Sequence, residues 1–98
     1  MTISYFNMIN NQLNFKRKLQ ISRYNNGQLA VNIRGLSGEP IAELSIMCDS
    51  VELAPHEFIL KDYSENEGLV RDCYESKLFS ATNRFVLIGS RLCPICQL

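Results

Sequence analysis

The sequence predicts an α+β fold: an antiparallel sheet of four to six strands, opened by an N-terminal meander, with one helix packed on a face. Three observations carry this. Apolar residues recur at every second position in three successive stretches separated by short turn clusters, a later stretch switches to a helical period, and compact apolar runs near the end return to strand character.

Residues 1–12 are polar and rich in asparagine (Asn7, Asn10, Asn11), and are expected as a loosely ordered lead-in or a short edge element before a single domain over 13–98. From there Leu13, Phe15, Leu19 and Ile21 alternate with Lys16, Lys18 and Gln20, the two-residue period of a half-buried strand. Asn25-Asn26-Gly27 tolerates positive φ, and Leu29, Val31 and Ile33 resume the alternation, so 13–34 reads as a β-hairpin. Gly35-Leu36-Ser37-Gly38-Glu39-Pro40 forms a second turn cluster. Beyond it Ala42, Leu44, Ile46 and Cys48 alternate with Ile41, Glu43, Ser45 and Met47, which completes a three-stranded meander. Short turns make sequence neighbours pair antiparallel.

Residues 49–55 connect to Glu57-Phe58-Ile59-Leu60, a short and mostly apolar strand. In Ser64-Glu65-Asn66-Glu67 the spacing predicts a capping box, with the serine on the N3 amide and Glu67 reaching back. Asp62, Glu65 and Glu67 then lie at the positive end of the helix dipole. The helix carries Leu69, Val70, Cys73 and Tyr74 on one face and is expected to stop near Lys77 or Leu78. Residues 80–83 read as a connection and Phe85-Val86-Leu87-Ile88 as a strand buried on both faces. Gly89-Ser90 bends the chain into a last short strand over 92–97.

The chain of 98 residues is long enough for one hydrophobic core, and its 46% hydrophobic and 20% charged residues are ordinary globular values. No apolar run approaches the length of a membrane span, and the first residues lack the basic start and apolar stretch of an export signal. The cytoplasm is therefore the expected location, with no membrane partner. Net charge is zero but unevenly distributed. Residues 1–48 hold five basic against two acidic residues, 49–75 hold eight acids against Lys61 and Arg71, and 76–98 hold Lys77, Arg84 and Arg91 with no acid. The 49–75 segment is accordingly either a protein-binding surface or the solvated side of a helix.

Cys93-Pro94-Ile95-Cys96 holds two of the four cysteines. A pair at this spacing can be half of a metal site, a redox couple, or two small apolar side chains on a strand. Cys48 and Cys73, with His56 as a substitute, are the residues that would complete a zinc site. Each of those two cysteines also falls on an apolar face, so no cofactor is expected and zinc stays the lesser reading. A redox couple requires a depressed thiol pKa at Cys93 or Cys96, and no helix is predicted after them to supply it. His56 has no second base beside it, and none of the five glycines forms a phosphate loop, so no catalytic residue is assigned and the chain is read as a non-enzyme. Lys16-Arg17-Lys18 beside Phe15 and Tyr24 is a small basic patch, too weak in a neutral chain to predict direct nucleic-acid binding.

The run Lys61-Asp62-Tyr63-Ser64-Glu65-Asn66-Glu67-Gly68-Leu69 follows Leu53-Ala54-Pro55-His56-Glu57-Phe58. With Gly38-Glu39-Pro40 and the closing Cys93-Pro94-Ile95-Cys96, it resembles a small uncharacterised family of phages, plasmids and integrative elements, over roughly residues 25–98. The resemblance implies a mobile-element accessory protein. Proteins of that kind block host defence systems, CRISPR nucleases or restriction enzymes among them, by stoichiometric binding. The partner it implies is a host defence protein or nuclease complex in the cytoplasm of a bacterial host. The residues expected to meet that partner come from the acidic helix start and its neighbouring loop, Asp62, Tyr63, Glu65, Asn66 and Glu67, and a homodimer stays open. The alternative is a small zinc-binding, nucleic-acid-interacting module built on the terminal cysteines.

Overall fold

The computed structural model describes the backbone of residues 2–10 and 13–98 and the side chains of residues 17–98. Within those residues the protein is α+β, with two antiparallel four-stranded sheets and one α-helix. The first sheet is the expected meander with a strand added in front. Strands β1 (Thr2–Asn10), β2 (Leu13–Arg23), β3 (Leu29–Arg34) and β4 (Pro40–Glu43) lie in sequence order. Of the lead-in expected over 1–12, residues 1, 11 and 12 lie outside the described residues, and the remainder is β1, an edge strand paired along β2. The turn between β2 and β3 closes as its composition requires: Gly27 sits at φ 88°, and its amide donates to Tyr24 O at 2.9 Å.

A single sheet is replaced by two because the third strand of the meander breaks at Leu44. Burial slips at that point, where Leu44 and the neighbouring Ser45, expected on the wet side, are both buried while Ala42 and Ile46 are half-buried; the sequence alternation itself gives no sign of the break. Hydrogen bonding does. Leu44 N donates to Val31 O of β3 at 2.8 Å, while Leu44 O accepts from Lys61 N at 2.8 Å, so one residue belongs to both sheets. Beyond it β5 (Ser45–Ile46) pairs with β6 (Glu57–Leu60), which pairs in turn with β8 (Arg91–Gln97). The outer strand β7 (Ser80–Ile88) completes the order β5-β6-β8-β7.

A chain of polar contacts locks this crossing. Val31 N donates to Ser45 Oγ at 2.8 Å, Ser45 Oγ and Tyr24 Oη lie 2.7 Å apart, and Tyr24 donates to Glu43 Oε1 at 2.7 Å. Burial pushes the Tyr24 phenol up to about 12, so it is held as the donor that Glu43 needs. The turn before β3 is also tied to the 48–51 loop, through Gln28 Nε2 to Cys48 O and Val51 O, both at 2.9 Å.

The core lies between the sheets and under helix α1 (Glu67–Glu75). Leu19, Leu29, Val31 and Ile33 come from the first sheet, Phe58, Leu60 and Cys96 from the second, and Val70, Cys73 and Phe79 from the helix and the segment after it. Phe58 and Tyr74 each meet Phe79 edge to face, at centroid distances of 5.3 and 5.1 Å. The helix stops at the predicted place by a Schellman closure: Lys77 adopts φ 58°, Lys77 N donates to Tyr74 O and Leu78 N to Cys73 O.

The last apolar run departs from expectation. Residues 80–83 are strand and not a connection, and β7 is an edge strand whose Phe85 and Leu87 are 58% and 66% exposed, so this stretch is not buried on both faces. Four apolar residues in a row state a preference for the interior, but only the pairing order decides which strand is central, and β8 takes that place. No helix among the described residues is long and apolar enough to cross a membrane.

Candidate functional site

Leaving β6 at Leu60, the chain turns through Lys61 to Asn66 before the helix begins. Tyr63 is extended, at φ −128° and ψ 177°, Ser64 takes a left-handed φ of 57°, and a 3-10 turn covers Ser64–Asn66. The predicted capping box does not form. An N-cap residue needs extended backbone so that its side chain reaches the N2 or N3 amide, and left-handed Ser64 is not in that geometry. The helix starts two residues later than the motif implies, which puts Glu67 in its first position instead of reaching back to a cap.

Asn66 explains the shift. Its side chain is fully buried, and Nδ2 donates to Glu43 O and Lys61 O, both at 2.9 Å. One amide thus ties the turn to the end of β4 and the end of β6. A polar group taken out of water needs such partners. Nδ2 has two, while Oδ1 is buried without a hydrogen-bond partner among the described residues, and with Asn66 inside, Ser64 and Glu65 before it are exposed.

The five residues singled out from sequence therefore divide. Asn66 supports the turn from within and presents no surface. Glu65 and Glu67 are exposed, and Asp62 and Tyr63 are half-buried. Lys61 Nζ lies 2.8 Å from Glu65 Oε1, an i,i+4 pair that holds the Glu65 carboxyl below its usual range and raises the lysine. The Arg91 guanidinium stands 4.2 Å from the centre of the Tyr63 ring, so the turn between β7 and β8 braces the aromatic. Arg91 was not among the sequence candidates; a cation-π contact between segments 28 residues apart leaves no periodic signal.

The cysteines do not converge. Cys93 and Cys96, three apart on β8, point to opposite sheet faces: Cys96 joins the core beside Phe58, with Tyr74 Oη 3.2 Å from its sulfur, and Cys93 lies opposite Val86 on the other face. Cys73 is buried in the core on the helix, and Cys48 is half-buried, 3.3 Å from Ser50 Oγ. Among the described residues no three His, Cys, Asp or Glu side chains gather to hold a metal ion. Burial pushes the thiols of Cys73, Cys93 and Cys96 upward, Cys73 to about 12, which is the reverse of the activation a redox couple requires.

The other sequence candidates are placed individually. His56 is exposed, and its carbonyl accepts from Leu98 N. Tyr24 is engaged with Glu43 and Ser45, so it offers no stacking platform, and the side chains of Phe15 and Lys16 lie outside the described residues. Glu57, buried on β6, accepts from Ala54 N at 2.9 Å and pairs with Arg84 of β7. No family model, no curated protein and no solved structure matches the chain.

Proposed function

We propose that the protein is a non-enzymatic binding protein that blocks a bacterial host defence complex by stoichiometric contact, as expected of a mobile-element accessory protein. Asp62, Tyr63, Glu65 and Glu67 form the contact surface, with Asn66 beneath them. The observation that carries this reading is the rigid presentation of Tyr63, Glu65 and Glu67 on a turn pinned by the buried Asn66 amide. A non-glycine residue held left-handed at Ser64 is strain of roughly 1–2 kcal/mol that packing must overcome. The strained turn leaves Glu65 and Glu67 exposed and Tyr63 half-buried, with the Arg91 guanidinium over its ring. A pre-organised aromatic anchor with charged neighbours is the composition that dominates protein-protein affinity, because little side-chain freedom is lost on binding.

Expression of the chain in strains carrying nuclease-based defence systems is expected to restore phage growth in one of them. A tagged copy should then carry a component of that system through purification. Tyr63→Ala, and separately Glu65→Lys with Glu67→Lys, should weaken that capture at least about tenfold without moving Tm. Restriction left intact in every strain, or equal capture by both variants, would overturn the reading.

A further inference from the structure

The β7–β8 hairpin leaves an apolar surface beyond the reach of the helix. Phe85, Leu87 and Leu92 are 58%, 66% and 63% exposed. Cross-strand register sets Leu87 opposite Leu92 and Phe85 opposite Pro94, so the three exposed side chains share one face of the sheet with the buried Cys96. The row continues the core-facing side of the second sheet into solvent. It ends on the outer edge of β7, where the backbone has no neighbouring strand in the sheet.

Exposed edges ordinarily carry a device against pairing, such as a charge, a proline or a bulge. Along β7 such devices are confined to the first half, where the register shifts between Ala81 and Arg84. Arg84 is the strand's one charged residue, and Glu57 already neutralises it. Phe85-Val86-Leu87-Ile88 has none.

We propose that β7 pairs with β7 of a second copy of this chain, antiparallel about a two-fold axis through Val86, joining the two second sheets into one eight-stranded sheet. Residues directly opposite in an antiparallel pair share a face, so this register sets Phe85 against Leu87 of the other copy, and the reverse, on the apolar side. Each patch covers its own counterpart, as an isologous interface requires. A second copy fits better than a charged partner. The strand offers no unpaired charge to complement, and the chain's net charge of zero brings no repulsion between copies. Three side chains and a short strand edge bury on the order of 400–500 Å² per copy, below the roughly 800 Å² of a standard interface, which places the dimer in the weak, transient class.

Sedimentation velocity from about 5 μM to 500 μM should show a monomer-dimer equilibrium. Leu87→Asp should raise its Kd at least about tenfold while the circular dichroism stays native. Mixing Phe85→Cys with Leu87→Cys under mild oxidation should give a mixed covalent dimer faster than either variant gives a homodimer, because only the mixed pair lies directly opposite. This measurement decides the matter even if the aspartate variant fails to fold. A wild-type chain that stays monomeric to 500 μM, a dimer indifferent to Leu87→Asp, or no preference for the mixed cross-link would overturn the proposal. The first outcome would leave the edge to a foreign strand.

Discussion

Strands β6 and β7 carry similar runs, Glu57-Phe58-Ile59-Leu60 and Phe85-Val86-Leu87-Ile88, and meet opposite fates. All four residues of β6 are buried, its one acid included, whereas β7 places Phe85 and Leu87 in solvent. The difference is one of neighbours. β6 lies between β5 and β8 with the core against Phe58 and Leu60, while β7 has a partner on one side only. Even the buried acid follows from position: Glu57 finds Ala54 N and Arg84 within reach, so its carboxylate does not lie unpaired in the interior. Hydrophobicity states what a strand would prefer, and topology decides whether it is granted.

The largest expected effect tests that contrast directly. Phe58→Ala removes a ring that meets Phe79 edge to face in the fully buried core, and should cost about 3–5 kcal/mol. Phe85→Ala should stay within about 0.5 kcal/mol when unfolding is followed at a few micromolar, where the monomer dominates. Denaturant titration of both variants is the measurement, and comparable losses would break the comparison.

Next in size is the fastening at the end of β6. Asn66→Ala strands the carbonyls of Glu43 and Lys61 and should cost about 2 kcal/mol by the same titration. It should also loosen Tyr63 and Glu65, so partner capture falls although neither residue is altered. Stability lost with capture intact would show that the turn needs no pre-organisation, and would separate the folding of β6 from the presentation of its neighbouring loop.

How much of this was legible in the sequence follows the range of each signal. The β2–β3 hairpin was legible, because alternation and a positive-φ turn are local properties, whereas the alternation over 42–48 missed the buried Ser45. The end of the helix was found by its lost periodicity, though nothing marked Lys77 as the left-handed residue. The break at Leu44 was not, since a residue that donates to one sheet and accepts from another keeps its inside-outside parity. Ser64 misled for a related reason: Ser-x-x-Glu has the spacing of a cap, but the buried amide of Asn66 answers to carbonyls 23 and 5 residues away. Cys73 lies in the core as its apolar helix face predicts, whereas Cys48, with the same expectation, is half-buried. Phe85 and Leu87 were not placed as surface, because an apolar run looks the same in a central strand and at an edge.

The smallest expected effect concerns the thiol packed over β6. Cys73 lies in the same core cluster as Phe58, and burial, with a lesser contribution from the Asp72 charge, pushes it from 9.0 up to about 12. A folded-state pKa raised above the unfolded value contributes stability that is fully present below about pH 9 and is lost as pH rises toward 12. At pH 10 the loss should be about 1 kcal/mol relative to pH 8. Cys73→Ala should remove most of that share from the pH profile, leaving the parts due to Cys93, Cys96, Tyr24 and Tyr74, all raised in the same direction. A thiol installed on the exposed strand by Phe85→Cys should add no such slope below pH 10, and should react with an alkylating reagent far faster than Cys73. If both thiols titrate and react alike, β6 is open to water as β7 is, and the burial that separates the two strands does not hold in solution.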